Sequence, residues 1–258
     1  MRHTSAAVTS LVSLGIAIVL AGAGGPVGAQ TGAAQTWLRV DTVQVKPEMW
    51  TEYRTIERDE VIPALRKAGV PSRAAWRTAE FGSTYELVFV RPISDFAEYD
   101  LGDSFTKGLA PREAERLRER IRRCLLSRES AAIMQRADLS VGETGRPFAV
   151  VTTLSVAPGR GADYEAFLRD TLPDVRKAGI VFGVYQRVYG HEAAWLLVQN
   201  LDSLKELGQP GGLFRAYGPE GADGQIARLG GIVTSVARKV LRFDPELSFS
   251  LQAGDPTQ

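Results

Sequence analysis

The sequence predicts an α+β fold in which one structural unit occurs twice. The first observation is a helix end that recurs: the pattern Pro-x-x-Arg-Lys-Ala-Gly occupies residues 63–69 and again residues 173–179. The second is its setting, because in both places a β-like run, a proline turn and a helix carrying a tyrosine come before it. Self-similarity of this kind indicates a tandem repeat, and we expect the repeat to determine the architecture.

The first copy begins with a run of apolar and β-branched residues, which predicts a strand. Pro47 suits the first turn of the helix that follows, and residues at helical spacing extend this helix to Lys67. Pro63 should kink the last turn, and Gly69 should end it. The predicted elements of this copy are a strand at 37–45, a helix at 47–67, strands at 72–81 and 85–90, and a charged helix at 111–135.

The second copy repeats this order. A short fourth strand is expected at or after residues 136–140 in the first copy and 242–248 in the second. The order β-α-β-β-α with a last β is the split, ferredoxin-like unit. The predicted elements are a strand at 148–156, a helix at 159–177, hairpin strands at 182–189 and 193–199, and a helix with Ile226, Leu229, Val233, Val236 and Val240 on its apolar stripe.

The run at residues 148–154 is apolar on both faces of the predicted strand. Such a strand needs a helix layer on one side and a second sheet on the other. One unit has only one layer of helices, so two copies in one chain can cover each other's sheets. We therefore predict two fused ferredoxin-like (β-α-β-β-α-β) repeats that form an intramolecular α+β barrel.

The first residues have the pattern of a secretory signal peptide. Arg2 supplies positive charge, residues 11–20 form a short apolar core, and small residues stand before a cleavage point near Ala29. A retained membrane anchor is the alternative, but the apolar core is short for a span. We expect a secreted or periplasmic protein. The predicted boundaries are a signal peptide at 1–29, a flexible N-terminus at 30–36, repeat one at 37–140, a linker at 141–147, repeat two at 148–248 and a disordered tail at 249–258.

Charge and cysteine content exclude several classes of function. The full chain has 31 Lys and Arg against 30 Asp and Glu, and loss of Arg2 with the signal peptide leaves the mature chain neutral. This balance offers no general attraction for nucleic acid or for an anionic membrane. The single Cys124 cannot form an internal disulfide, and its place beside Leu125 predicts a buried, unreactive thiol.

Metal and cofactor chemistry are not expected either. His191 is the only histidine beyond the predicted signal peptide, and it lies in a Gly-His-Glu turn. One histidine and one cysteine cannot make a zinc site, and a Ser-His-Asp triad would depend on this exposed histidine. The sequence also lacks a phosphate-binding glycine loop. We therefore expect no metal and no cofactor.

The sequence resembles the dimeric α+β barrel superfamily, and within it the NIPSNAP and antibiotic-biosynthesis-monooxygenase-like branch. The resemblance rests on the turn Val45-Lys46-Pro47 that leads to Tyr53, and on the recurring helix end. It rests also on the hairpin ends Leu87-Val88-Phe89 and Leu196-Leu197-Val198. It covers the chain from residue 37 to residue 247.

This resemblance implies a fold more than a reaction, because the superfamily includes haem enzymes, cofactor-free monooxygenases, isomerases and members without known activity. Its haem-binding members commonly use a helix histidine as axial ligand, and the predicted helices contain none. Because the fusion supplies the partner sheet, we expect a monomer with an internal pseudo-dimer.

Glu57 is the candidate catalytic residue. It lies one helical turn beyond Tyr53 on the stripe that faces the sheet, where the second copy has Leu168. A carboxylate on such a stripe is costly unless it is paired, and in a lined cavity it could act as a general base. The alternative is a structural ion pair with one of three arginines: Arg54, Arg58 or Arg77.

The predicted ligand-binding residues are Tyr53, Trp76, Tyr85 and Arg77 of the first copy. Trp76 and Tyr85 could line a cleft between sheet and helix that takes an aromatic ligand, or they could simply fill the core. Arg77 could hold an anionic group or form an ion pair at the barrel edge. We expect any site in copy one, because aligned replacements such as Leu168 make copy two the better-filled half.

The sequence thus favours a secreted or periplasmic small-molecule-binding protein with a small apolar or aromatic ligand. The first alternative is a cofactor-independent monooxygenase or isomerase acting on an aromatic or polyketide-like compound. The second is a non-catalytic structural or interaction module. Nucleic acid is not an expected partner, nor is a membrane after signal cleavage. A cavity in only one half would favour binding or catalysis.

Overall fold

The computed structural model describes residues 36–100, 102, 107–142 and 145–251. The predicted signal peptide, nearly all of the predicted flexible N-terminus and most of the predicted tail lie outside the described residues. We refer to residues 36–142 as the first half and to residues 145–251 as the second half.

Eight antiparallel strands form a closed barrel. Their order around the ring is β3-β1-β4-β6-β7-β5-β8-β2, and the pairing of β2 with β3 closes it. A two-residue strand, β9, pairs with the start of β2. The strands are β1 (Trp37–Val45), β2 (Ser72–Thr78), β3 (Glu86–Ile93), β4 (Leu125–Gln135), β5 (Phe148–Val156), β6 (Phe182–Tyr189), β7 (Ala194–Leu201), β8 (Val233–Phe243) and β9 (Phe249–Ser250).

Helices cover the outer face of the barrel wall. In the first half, one helical stretch changes from α to π geometry and back, and a second helix packs beside it. Apolar residues at helical spacing bury one face of this second helix, as with Leu117 and Ile121. The helices are α1 (Trp50–Ile56), a π turn (Glu57–Val61), α2 (Ile62–Lys67), α3 (Pro111–Cys124), α4 (Gly161–Lys177) and α5 (Gly212–Arg228), the last interrupted at Gly218.

The predicted fold class is wrong. We expected two ferredoxin-like repeats whose separate sheets face each other, and the strands instead form one closed antiparallel β-barrel. Each half supplies an arc of four strands, and the pairings β4–β6 and β2–β8 join the arcs. Closure hydrogen-bonds the edge strands that two separate sheets would leave unpaired. The doubled sequence pattern stays an interpretation of the sequence alone.

The last element of each half also differs from the prediction. The charged helix was expected to reach residue 135, but it ends at Cys124, and β4 begins at Leu125. In the second half, the expected helical stripe through Val240 is strand β8, because Gly230 and Gly231 end the helix before it. Residues 126–130 of β4 and 234–238 of β8 are exposed on both faces of the strand, so these strands lack the alternating apolar pattern that would mark them.

Two matching hydrogen-bond clasps fix the segments that follow β4 and β8. The Ser140 hydroxyl accepts a bond from the Val184 amide at 2.9 Å and donates to a carbonyl four residues earlier. The Ser248 hydroxyl does the same for the Ala75 amide at 2.8 Å. The second clasp places the Leu247 backbone beside β2, where it contributes to the site described below.

The thiol of Cys124 is buried at the end of α3, in agreement with the sequence. Burial raises its pKa, which keeps it protonated and unreactive. Within the described ranges, no helix combines the length and the apolar character that crossing a membrane requires. Phe249 and Ser250, which the sequence placed in the tail, form β9.

Candidate functional site: a polar cavity in the first half

The helix over the first arc contains one residue more than its counterpart in the second half. Ten positions separate Tyr53 from Pro63, whereas nine separate Tyr164 from Pro173. The π turn at Glu57–Val61 accommodates the extra residue, while α4 has no such turn. π turns of this kind widen a helix locally and occur often at functional sites. Both ends of this turn, Glu57 and Val61, face the cavity described below.

Glu57 is buried and both of its carboxylate oxygens accept hydrogen bonds. The Tyr53 hydroxyl donates to Oε1 at 2.8 Å, and Arg73 Nη1 donates to Oε2 at 2.8 Å. Only 4% of Glu57 and 5% of Arg73 is exposed to solvent. This is a buried ion pair extended by a tyrosine, and we call it the Tyr53–Glu57–Arg73 trio.

Arg73 reaches the trio from strand β2. Its guanidinium lies 4.4 Å from the centre of the Phe89 ring, and its Nη2 donates to the Leu247 carbonyl at 3.2 Å. Its Nε, however, is buried without a hydrogen-bond partner among the described residues. A buried donor left unpaired costs about 1–3 kcal/mol. The trio therefore contains one donor that a further acceptor would satisfy.

Tyr53 acts as a donor in this arrangement. Burial raises its pKa well above the usual tyrosine value, and the charge and hydrogen bond of Glu57 raise it further. The hydroxyl therefore keeps its proton at any physiological pH.

A cavity of about 70 Å³ adjoins the trio between the barrel wall and the helices. It is much smaller than the roughly 300–1,000 Å³ of pockets that take drug-sized ligands. Its lining combines four arginines and two carboxylates with apolar side chains. The lining residues are Arg39, Asp41, Val43, Tyr53, Glu57, Val61, Leu65, Arg73, Phe89, Arg91, Ile121, Leu125 and Arg128.

A second ionic cluster, centred on Asp41, forms another part of this lining. Arg39 donates two bonds to Asp41, at 2.8 and 3.0 Å, and Arg128 donates one at 3.2 Å. The Ser130 hydroxyl also donates to this carboxylate. Burial alone would raise the pKa of Asp41, but the hydrogen bond and charge of Arg39 outweigh it and lower the pKa. Asp41 is therefore ionised.

Arg91 completes the polar lining and connects it to the short helical turn Phe96–Tyr99. Its guanidinium donates to Glu98 at 3.2 Å and to the Tyr99 hydroxyl at 3.1 Å. The guanidinium carbons of Arg39 and Arg91 lie 5.4 and 5.5 Å from the centre of the Tyr99 ring. This turn thus packs against two of the four cavity arginines.

Of the five predicted site residues, Tyr53 and Glu57 line the cavity and the other three do not. Trp76 lies on the face of β2 that points into the barrel, away from the helices, and its ring centre is 5.3 Å from that of Phe243. Tyr85 precedes β3 and packs against Trp50 at 5.5 Å. Arg77 follows Arg73 on the same face of β2 but lies beyond the cavity.

The ion pair that the sequence offered as the alternative role of Glu57 exists, but with a different arginine. Arg54 instead binds Asp244 and Glu246, and Arg58 binds Asp59 on the surface. The sequence did not predict this pairing, because nothing local connects Arg73 to a helix residue sixteen positions earlier.

Sequence reasoning missed the remaining charged residues of the lining. The sequence pattern of β1 contained a signal for them. Arg39 and Asp41 stand at every second position and so share a strand face with the buried Val43 and Val45. Charged residues at period two on a buried face are costly unless they are paired. Arg91 gives the same signal in β3, on the face of the buried Phe89.

The second half has uncharged residues at the positions of this ionic lining: four are apolar, and two, Thr152 and Gln199, are polar. The strand registers align Arg73 with Phe182, Arg39 with Val150 and Arg128 with Val236. In the helices, Leu168 has the position that corresponds to Glu57. Leu168 belongs to a buried apolar cluster of that half, in which Tyr164 packs against Trp195 with ring centres 5.3 Å apart. The charged lining therefore distinguishes one half from the other.

No group of three or more His, Cys, Asp or Glu side chains could hold a metal ion within the part of the chain that the structure describes. His191 lies on the surface, and its Nε2 is 3.1 Å from a Glu129 carboxylate oxygen.

The fold defines a closed antiparallel barrel of eight strands with helices outside, and solved structures share it. No protein-family model matches the sequence, and no curated protein is significantly similar to it. An anthrone oxidase-like protein matches with a TM-score of 0.57 and 12% identity, over 85% of this chain and 94% of that one. A "putative monooxygenase" from Fusobacterium nucleatum matches with a TM-score of 0.52 and 14% identity, over 81% and 93%.

A chlorite dismutase mutant from Candidatus Nitrospira defluvii matches with a TM-score of 0.51 and 11% identity, over 82% of this chain and 92% of that chain. Identities at this level establish a shared fold and nothing about activity. The predicted resemblance to monooxygenase-like barrel proteins is therefore confirmed for the fold. The narrower assignment to one branch stays a prediction.

Proposed function

We propose that this protein binds a small molecule in the first-half cavity. The observation that carries the proposal is the buried Arg73 Nε, which has no hydrogen-bond partner among the residues that the structure describes and belongs to a side chain that lines the cavity. Buried polar groups are otherwise almost always satisfied, so such a donor favours a site for a ligand acceptor. The uncharged residues at the corresponding positions of the second half support a role for the first half beyond packing.

The second candidate function is a cofactor-independent monooxygenase or isomerase. The hydrogen-bonded pair of Tyr53 and Glu57 favours it, as does the likeness to the anthrone oxidase-like protein. In such a reaction, Glu57 would have to accept a proton from the substrate. Both of its oxygens already accept hydrogen bonds, and the cavity is too small for a polyketide-like compound. We therefore place binding first.

A ligand screen by thermal unfolding tests the binding function. A ligand present at about 100 times its Kd should stabilise the protein by about 2.7 kcal/mol and raise its Tm. Arg73→Lys keeps the positive charge beside Glu57 but removes Nε and the fork of donors, so it should abolish most of the shift. Arg77→Lys is the matched control, because it makes the same change four residues further along β2, on the same face but outside the cavity.

The Tm shifts of the two lysine variants show whether a ligand binds in the first-half cavity. A ligand whose Tm shift survives in Arg73→Lys binds elsewhere, and a broad screen without any stabilising compound would contradict the proposal. For the catalytic candidate, turnover of a phenolic or enolisable compound that stops in Glu57→Gln, while binding persists, would place catalysis first.

We also propose that the protein is exported and acts as a monomer. The basic, apolar and small-residue order of the first 29 residues supports export. A barrel closed within one chain needs no second chain to complete it, which supports the monomer. Mass spectrometry of the periplasmic or extracellular fraction should find a chain that begins near Gln30. The uncleaved chain in the cytosol would contradict export.

A further inference from the structure

We propose that the ligand of the first-half cavity is a short-chain carboxylate, a monoanion bound between Arg73 and Arg128. This inference rests on the proposed function and names the chemical class of its ligand. Charge, hydrogen bonding and volume support it independently.

Among the described residues, the charged groups around the cavity leave a surplus of one positive charge. The lining contains four arginines and two carboxylates. Glu57 pairs with Arg73, and Glu98, just outside the lining, pairs with Arg91. Asp41 alone remains for two arginines, Arg39 and Arg128. One monovalent anion would therefore balance the lining, whereas a neutral ligand would leave the surplus in place and a dianion would exceed it.

Arg128 and Arg91 each form a single bond of 3.2 Å to a carboxylate, and Arg128 is the more exposed of the two. Arg39 forms two bonds to Asp41, whereas Arg128 forms one of 3.2 Å, and 44% of its side chain is exposed. Its guanidinium can therefore turn to a ligand at low cost. The positive charge of Arg128 is among the influences that act to lower the pKa of Tyr53, so it lies within electrostatic reach of the trio.

Arg73 supplies the second contact. Its Nε–H is the buried, unpartnered donor, and a carboxylate oxygen is the acceptor that would form the strongest bond with it, because both groups are charged. The guanidinium is already held by Glu57, Leu247 and the Phe89 ring, so its direction is fixed before a ligand arrives. A fixed donor loses little conformational entropy on binding.

The volume and the apolar lining limit the rest of the ligand. About 70 Å³ accommodates a carboxylate with a few carbon atoms and not an aromatic polycycle. Apolar side chains form much of the wall, which favours a short hydrocarbon chain over a second polar group. These apolar lining residues are Val43, Val61, Leu65, Phe89, Ile121 and Leu125.

Propionate and propionamide provide the decisive comparison, because they have nearly the same shape and differ in charge. We expect propionate to raise the Tm of the mature protein saturably, at constant ionic strength, and to bind about tenfold or more tightly than propionamide. The affinities of acetate, which is one carbon shorter, and of butyrate, which is one carbon longer, should show which chain length the cavity accepts. Chloride at the same concentration should give no comparable shift.

Two variants test the named contacts. Arg128→Gln should weaken propionate binding about tenfold, measured by calorimetry, with little effect on propionamide. Because Arg128 is partly exposed, this variant should fold normally. Arg238→Gln is the matched control, since Arg238 is an exposed arginine on the corresponding strand β8. Arg73→Lys should also weaken propionate binding.

Each other outcome overturns the inference in a distinguishable way. Equal binding of propionamide, still dependent on Arg73, would overturn the anionic class and leave the proposed function intact. Protection by chloride equal to that by propionate would overturn the carboxylate class. No effect of propionate, together with a neutral hit in the wider screen, would overturn the inference alone, whereas the absence of any ligand would overturn both.

Discussion

Replacing Arg73 by methionine is expected to lower the free energy of unfolding by about 3–5 kcal/mol. Arg73 is the only ionic partner of Glu57 within the described residues, and both side chains are buried. Methionine would leave the Glu57 carboxylate without a counter-charge in a site that water hardly reaches. Urea denaturation followed by tryptophan fluorescence measures the change directly.

The matched control replaces both partners with the residues that the second half has in the same places. Glu57→Leu combined with Arg73→Phe removes the ion pair as a whole, and such replacements are often neutral or stabilising. The Tyr53 hydroxyl then loses its acceptor, so we expect the double variant to recover at least half of the loss. A loss below about 1 kcal/mol in Arg73→Met would show that the ion pair is not formed as described.

Replacing Gly108 by alanine is expected to destabilise the protein by about 3 kcal/mol or more. An added Cβ at position 108 would lie 2.2 Å from the Ala64 carbonyl oxygen, and the Ala64 backbone cannot yield without moving α2. Because α2 also carries Leu65 of the cavity lining, this displacement should weaken ligand binding as well. Thermal and urea unfolding provide the measurement.

Gly224→Ala is the control for this substitution. Gly224 lies within α5, where an added Cβ would meet no atom within 4 Å. Alanine is favoured over glycine in a helix by about 1 kcal/mol, so this variant should be unchanged or slightly more stable. If Gly108→Ala unfolds at the same denaturant concentration as the wild type, residue 108 does not pack on α2.

The sequence predicted the local elements well where their side-chain pattern was strong. The bounds of β1, β5 and β6 coincide with the predicted strands, and α4 ends at the predicted Lys177. It failed for β4 and β8, in which residues 126–130 and 234–238 are exposed on both strand faces without alternation. A strand that is half-solvated and rich in arginine gives little periodic signal.

For the candidate site, the sequence located the helix side and not the sheet side. The spacing of Tyr53 and Glu57 placed both on one helix face, and both line the cavity. Trp76 was chosen on the correct strand but faces the other side, because the choice between the two faces of β2 depends on where the helices pack. Arg77 was predicted as the ligand-binding arginine, but Arg73, four residues earlier on the same face of β2, is the one that lines the cavity.

The sequence by itself determined which residues can share a face of a helix or strand, and that Glu57 stands where the second half has Leu168. The tertiary structure alone decided that the strands close into one barrel and that Glu57 pairs with Arg73. The physical reason is that spacing along the chain fixes side-chain direction locally. Strand partners and ion pairs depend instead on which distant edges and charges must be satisfied once water is excluded.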